Sequence, residues 1–351
     1  MEKVLIIGQG LAGTWLSWWL YQAGVPFKVI DQSNGDSASL RAAGLVNPVT
    51  GRRMVTTWMI DELMPFASVA YGEIGMYLND SFMKEISLID LFPSVQMLQA
   101  FQRRIEEDPA YLIQGEDREK YSEWLRYDLG WGVIQPCLLV NVEKLLIAWR
   151  AWLKNEGLLI ESGFEFSKLK LTDHGIDYSA VQSSYIIFCD GKSSSGNPYF
   201  DKLPFALNKG EGMLVEIKGL PGNTAYKKGM SLIPYRENIY WLGSSYEWSF
   251  DNDQPSANFR KTAEGWLNYN LKLPYTVLEH FAAIRPATLE RRPFIGFHPL
   301  YPQIGILNGL GTKGCSLAPF FAKQLVNKLT GEGSIDPLAD IKRFEKIIRR
   351  I

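Results

Sequence analysis

The sequence predicts a mixed fold, α/β plus α+β. It pairs a discontinuous Rossmann-like domain with a second, mostly antiparallel β-sheet domain. Three observations predict it. A strand–glycine turn–helix–strand unit opens the chain between Lys3 and Asp31. A second strand–glycine turn–helix unit, Ile304 to Leu329, lies near the other end. Between them, residues 205–280 alternate apolar and polar side chains with the period of a strand. The chain has 351 residues, about two domains at ~150 residues each. That is long enough to bury cores without a disulfide or metal staple.

The elements follow in order. Val4-Leu5-Ile6-Ile7 is a short apolar run suited to a strand buried on both faces. Gly8 to Gly13 is a tight turn, Thr14 to Ala23 a helix closed by Gly24, and Val25 to Ile30 a second strand. Residues 57–136 mix helical patterns with loops, and Gln96 to Glu107 is amphipathic. Val142 to Asn155 is a helix, with Asn141 as N-cap and Gly157 beyond its end. Leu158 to Glu161, Phe164 to Leu171 and Gly175 to Tyr178 read as a small antiparallel layer, and Tyr185 to Cys189 as a buried strand. Met213 to Ile217, Ser231 to Pro234 and Ile239 to Leu242 read as strands, then Ala257 to Leu267 as a helix. Ile304 to Leu307 is a strand and Ser316 to Leu329 the last long helix. The first domain is therefore expected in three pieces, 1–56, 137–204 and 281–351, and the second in two, 57–136 and 205–280.

Charge and composition narrow the function. Lys and Arg number 37 against 38 Asp and Glu, which disfavours a nucleic-acid surface built on clustered cations. The one basic run, Lys342 to Arg350, fits a solvated terminal helix. Cys137, Cys189 and Cys315 are far apart in sequence, and no His–metal spacing appears, so no metal site is expected. Sparse, unpaired cysteines suit a reducing compartment, and the expected location is the cytoplasm. Val4 to Phe27 holds no charge, but Gly8, Gly10 and Gly13 interrupt it, against a membrane span or export signal.

Three motifs carry chemistry. In Gly8-Gln9-Gly10-Leu11-Ala12-Gly13, the first glycine permits the turn and the second lets a pyrophosphate approach the backbone. The third lets the helix pack on the strand. The helix N-terminus offers free N–H groups to the phosphates. Asp31, 21 residues beyond Gly10, is placed to accept ribose hydroxyls and to repel a 2′-phosphate. The fingerprint alone fits FAD or NAD. Asn308 to Gly314 is the second glycine turn, either an ordinary loop before a capped helix or a set of N–H groups aimed at a flavin edge. In Ile284-Arg285-Pro286, the proline keeps Arg285 out of helical geometry, and the apolar residues before it suggest burial. A buried guanidinium needs an anion, from a ligand carboxylate or an internal acid. Arg291 and Arg292 read as solvated or paired charges.

Together these residues resemble the D-amino acid oxidase (DAO) family of FAD-dependent oxidoreductases, above all glycine oxidases and the oxidase half of the enzyme that trims a tRNA wobble uridine. The resemblance implies FAD, and a first domain that binds it. It implies a cofactor site that starts with Gly8, Gly10, Leu11, Ala12 and Gly13, continues through Asp31 and Gln32, and takes phosphate contacts from Ser37 and Ser39. Ala43-Gly44-Leu45 passes the isoalloxazine, Phe166 holds the adenine by its backbone, and Asp190-Gly191 lies on the adenosine side. Gly309, Gly311, Thr312, Lys313 and Gly314 face the flavin pyrimidine. Arg285 clamps the substrate carboxylate, and Lys313 joins it as the second catalytic candidate. Cys189-Asp190-Gly191 departs from the small-small-Gly turn of many members, Ser231 stands where some amino acid oxidases have Tyr, and Lys313 where the tRNA-trimming enzymes have Arg.

The activity so implied is oxidation of a C–N bond in a small amine or amino acid, by hydride transfer to flavin N5. The imine formed then hydrolyses, and oxygen is one candidate acceptor. A tRNA wobble-uridine oxidase and a non-catalytic flavoprotein are the alternatives. A salt-dependent shift with tRNA would mark the former, and a flavin that no amine bleaches the latter.

Overall fold

The computed structural model describes residues 2–32 and 37–349; Arg350 lies outside them. Two sheets organise the chain. The first has eight strands. Glu2–Ile7 lies parallel between Phe27–Ile30 and Val181–Phe188. The start of Val181–Phe188 pairs with Gly175–Tyr178 and its end with Ile304–Asn308, so the N- and C-terminal thirds of the chain share one sheet. These strands are apolar on both faces because helices cover one side and the chain's end covers the other. Leu11–Gln22 and Gly314–Thr330 pack together on the covered side with Val142–Asn155. Ile341 and Phe344 close the opposite face over Leu5, Ile186 and Ile306.

The second sheet has nine strands and is antiparallel except for Thr224–Lys228 beside Met83–Leu91. Asn208–Glu216 pairs with Thr276–Arg285 on one side and Ile239–Gly243 on the other. One face packs under the helix Ala257–Asn270. The other, bearing Phe281, Trp241 and Ile233, packs on Val49, Met54 and Phe101. Among the described residues no helix is long and apolar enough to cross a membrane.

Several elements differ from the sequence expectation. The first helix begins at Leu11, not Thr14, with Gly10 as its extended N-cap, so Gly13 is already helical. Leu159–Ile160 joins the first sheet parallel to Phe27–Ile30. Only Leu169–Thr172 and Gly175–Tyr178 form the antiparallel layer on Val181–Phe188. Phe166–Lys168 is a 3₁₀ turn instead of a strand, where Glu165 N–H donates to Tyr178 Oη at 3.0 Å. Helix Ile60–Leu78 belongs by sequence to the 57–136 segment. Its buried face, with Leu63, Ala67, Tyr71 and Ile74, packs in the core of the first sheet. At the C-terminus Ile341–Phe344 is 3₁₀ and Glu345–Ile348 a single helical turn, with Arg343 paired to Glu290 and Arg349 to Glu345.

Candidate active site

The two glycine turns converge with the Cys189-Asp190-Gly191 segment. Gly8 sits at φ +99°, and a Cβ there would lie 2.6 Å from Cys189 O, so the first turn rests on the Cys189-Asp190-Gly191 segment. A Cβ on Gly13 would lie 1.9 Å from Gly8 O, which is the close helix–strand approach the motif requires. Gly10 faces only Ser39 Oγ, 3.0 Å from its notional Cβ, and Leu11 N–H donates to the same oxygen at 3.1 Å. Ser37 Oγ accepts from Leu40 N–H at 3.2 Å and holds the loop. At the far end of the sequence, Gly314 opens the last long helix beside Leu11, whose Cδ1 would be 3.1 Å from a Cβ on Gly314. Trp19 Nε1 fastens the two helices by donating to Pro319 O at 2.8 Å.

Asp31 ends its strand as expected. Its Oδ1 accepts Gln9 N–H at 3.0 Å and its Oδ2 meets Arg150 Nη1 at 2.6 Å. Arg150 also reaches Glu161 at 3.2 Å and was not foreseen from the sequence; it sits in a helix 119 residues away. Gln32 is exposed, with its amide oxygen beside Gly163. Gly44, at φ +80°, passes within 1.9 Å of Val140 O as measured to a notional Cβ. It delivers Ala43 and Leu45 to the rim of the second sheet, where Leu45 pairs with Leu139. Phe166 opens the 3₁₀ turn, and its half-exposed ring stacks on Phe188 at 5.7 Å. Gly191 is left-handed at φ +59°, and its carbonyl accepts from Asn308 Nδ2.

The second glycine loop is left-handed at Gly309 and Gly311, and Gly311 N–H is spent on Pro286 O at 3.1 Å. That bond ties the loop to the residue after Arg285. Thr312 is exposed. Lys313 sends Nζ to Thr57 Oγ1 at 3.2 Å, with no carboxylate within 4.0 Å among the described residues, and burial pushes its amine down to about 8. Thr57 Oγ1 itself donates to Asn47 O at 3.0 Å.

Arg285 ends its strand and lies flat across Gly210. A Cβ on Gly210 would fall 1.9 Å from Nη2 and 2.0 Å from Cζ. Nη1 donates to Asn208 Oδ1 at 2.7 Å and to Ser245 O at 3.2 Å, and Tyr246 covers the guanidinium at 4.9 Å. No carboxylate pairs with it among the described residues, and burial holds its pKa below the usual arginine value. Both Nη1 hydrogens are used, so the Nε–Nη2 edge keeps the geometry that suits a carboxylate. Asn208, Gly210 and Tyr246 were missed in sequence. Lys209-Gly210-Glu211-Gly212 did carry a signal, since glycines two apart leave one face of a strand bare. Arg292, expected to be solvated or paired, lies 4.0 Å over the Trp58 ring.

The donor set fits FAD. Among the described residues, the N–H groups of Gly10, Ala12 and Gly13 have no partner in the chain. The same holds for Thr312, Gly314 and Cys315. Two helix N-termini therefore lie side by side with open donors, one suited to a pyrophosphate and one to a carbonyl edge.

Such a donor set is that of a dinucleotide-binding protein. The sequence model of the FAD-dependent oxidoreductase (DAO) family matches residues 3–328, and the chain belongs to that family. It is thus an FAD-dependent oxidoreductase. Its fold is shared with glycine oxidase from Bacillus cereus ATCC 14579, at TM-score 0.82 and 17% identity over 96% of this chain and 97% of that one. Glycine oxidase from Geobacillus kaustophilus matches at TM-score 0.80 and 18% identity over 99% of both chains. Iminodiacetate oxidase from Chelativorans sp. BNC1 matches at TM-score 0.78 and 21% identity over 97% of this chain and 98% of that one.

Proposed function

We propose that this protein oxidises the C–N bond of a small amine that carries a carboxylate, an amino acid or an N-substituted one. The observation that carries the reading is Arg285: half-buried, laid across Gly210, and without a carboxylate partner among the described residues. Its Nε–Nη2 edge takes the substrate carboxylate, each charge-assisted hydrogen bond contributing about 1.5–3 kcal/mol. That fixes which carbon faces the cofactor. FAD, when bound, supplies the two-electron acceptor for the C–H bond next to nitrogen.

The chain supports that chemistry from both sides. Gly8, Gly10, Leu11, Ala12 and Gly13 hold the pyrophosphate, and Asp31 the ribose. Thr312 and Gly314 present N–H groups to the pyrimidine edge from the loop that Gly309 and Gly311 shape, with Ala43, Gly44 and Leu45 alongside the ring. An amine is oxidised as the free base, so a substrate ammonium first loses a proton. The Lys313 amine, brought to about 8 by burial, is suited to take it at Nζ. Glycine and iminodiacetate, the substrates named for the fold relatives, belong to the class that Arg285 selects.

The test is anaerobic. FAD-loaded protein is mixed with glycine, sarcosine, proline, iminodiacetate and D-amino acids, and the visible band is followed. At least one of these bleaches it, and Arg285→Met raises the half-saturating concentration at least about tenfold, the loss of one charged bond. If none bleaches it while dithionite does, the reading fails.

A further inference from the structure

Ser194 is fully buried and lies between Asp190 and Asn308. Its hydroxyl donates to the Asp190 carboxylate and accepts from Asn308 Nδ2 at 2.7 Å. The same Asn308 nitrogen donates to Gly191 O at 2.9 Å, and Asn308 Oδ1 takes the Gly309 N–H at 2.8 Å. Asp190 precedes the 3₁₀ turn Gly191–Gly196, beside Gly8. Asn308 ends the strand Ile304–Asn308, a parallel neighbour of Val181–Phe188. A continuous hydrogen-bonded chain, buried at Ser194 and Asn308, therefore runs from the turn under Gly8 to the first residue of the 309–314 loop.

Every member of this chain has a fixed direction. Asn308 cannot flip: its amide nitrogen would then meet the Gly309 N–H, and its oxygen the Gly191 carbonyl. Ser194 must offer a lone pair to that nitrogen, so its own proton has to go elsewhere. An ionised carboxylate only accepts, and Asp190 is the acceptor that takes the proton. Burial pushes the Asp190 carboxyl up to about 6, so it is ionised at pH 8.

We propose that Asp190 is a positioning residue for the flavin loop, acting through Ser194 and Asn308. By absorbing the Gly309 N–H, Asn308 sets which N–H groups of the loop remain to face FAD. Gly311 N–H is already held by Pro286 O, which leaves those of Leu310, Thr312 and Gly314. The inference rests on the reading that the 309–314 loop contacts FAD.

The experiment measures FAD affinity by flavin fluorescence and the visible circular dichroism of bound FAD, both at pH 8. Ser194→Ala and Asp190→Ala each weaken FAD about three- to tenfold, the net loss of one hydrogen bond, and each changes the dichroism. The double variant is no weaker than the worse single one, because the two act in series. Asp190→Asn, whose amide oxygen still accepts the Ser194 hydroxyl, restores affinity to within about twofold of wild type. If Asp190→Ala does not fold, Ser194→Ala and Asp190→Asn carry the test. Gly311→Val, which forces a branched side chain onto φ +54°, is the loop control. Unchanged affinity and dichroism in Ser194→Ala, with weakened FAD in Gly311→Val, overturns the relay alone. Unchanged affinity in both overturns the loop's contact with FAD as well.

Discussion

Gly210→Ala separates the arginine clamp from everything else in the site. The new Cβ would stand 1.9 Å from Arg285 Nη2, 2.0 Å from Cζ and 2.2 Å from Nη1. Ordinary contact is about 3.5–4.0 Å, so the guanidinium must move by roughly 1.5 Å or more. It then leaves Asn208 Oδ1 and Ser245 O, which aim its free edge. The charge remains and its direction is lost. One charge-assisted hydrogen bond at about 1.5–3 kcal/mol corresponds to roughly ten- to a hundredfold weaker carboxylate binding. The backbone at Gly210 has no left-handed φ, so alanine fits the strand and is intrinsically favoured there by about 0.5–1 kcal/mol. FAD affinity should therefore hold, while Tm falls modestly because the two lost arginine hydrogen bonds outweigh that gain. The assay compares KM for a carboxylated amine with KM for the same amine lacking its carboxylate. The first rises in Gly210→Ala and the second does not. An unchanged KM for the carboxylated amine would refute the clamp geometry.

Other outcomes follow from the same structure. Gly13→Ala places a Cβ 1.9 Å from a backbone oxygen that cannot rotate away. It should cost about 1–3 kcal/mol and sharply weaken FAD, read by thermal unfolding and flavin retention. Lys313 binds its proton less well in the folded chain, at about 8, than at the ordinary lysine value of 10.5. Folding is therefore penalised below pH 8 and relieved as pH rises from 8 toward 10.5. Lys313→Met should raise the Tm of the FAD-free protein by a few degrees at pH 7. That gain should fade across the same window; a constant gain would contradict the buried-amine account. Burial pushes the Cys137 and Cys315 thiols up to about 12 and Cys189 well above its ordinary value. The native protein should be inert to a thiol reagent at pH 8 and expose all three thiols in denaturant.

What could be read from the sequence was local. Gly8 and Gly13 announce a turn because the φ of +99° at Gly8 and the approach of Gly13 to Gly8 O are demands made inside the motif itself. Asn141 announced its helix equally well, and its Oδ1 does accept Lys144 N–H at 3.1 Å. Arg285 was legible because Pro286 restricts it and apolar residues precede it. What escaped was set by pairing at a distance. Nothing near Asp31 announces Arg150, and nothing near Arg285 announces that Gly210 will lie beneath it. Met83–Leu91 and Trp131–Val140 become strands by pairing with each other across a long insertion. Helix Ile60–Leu78 was obscured by Pro65 inside its early turns, a residue that normally argues for a break. The Asp190 carboxylate stood out as a departure from the family turn, and only the geometry at Ser194 and Asn308 gives it work to do.

The most direct measurement is a crystal structure of the FAD-loaded protein with glycolate, a carboxylate that has no amine to oxidise. The carboxylate should be held on the Nε–Nη2 edge of Arg285 above Gly210. The N–H groups of Thr312 or Gly314 should point at the flavin pyrimidine. Glycolate bound away from Arg285, or a flavin ring distant from the 309–314 loop, would contradict the account.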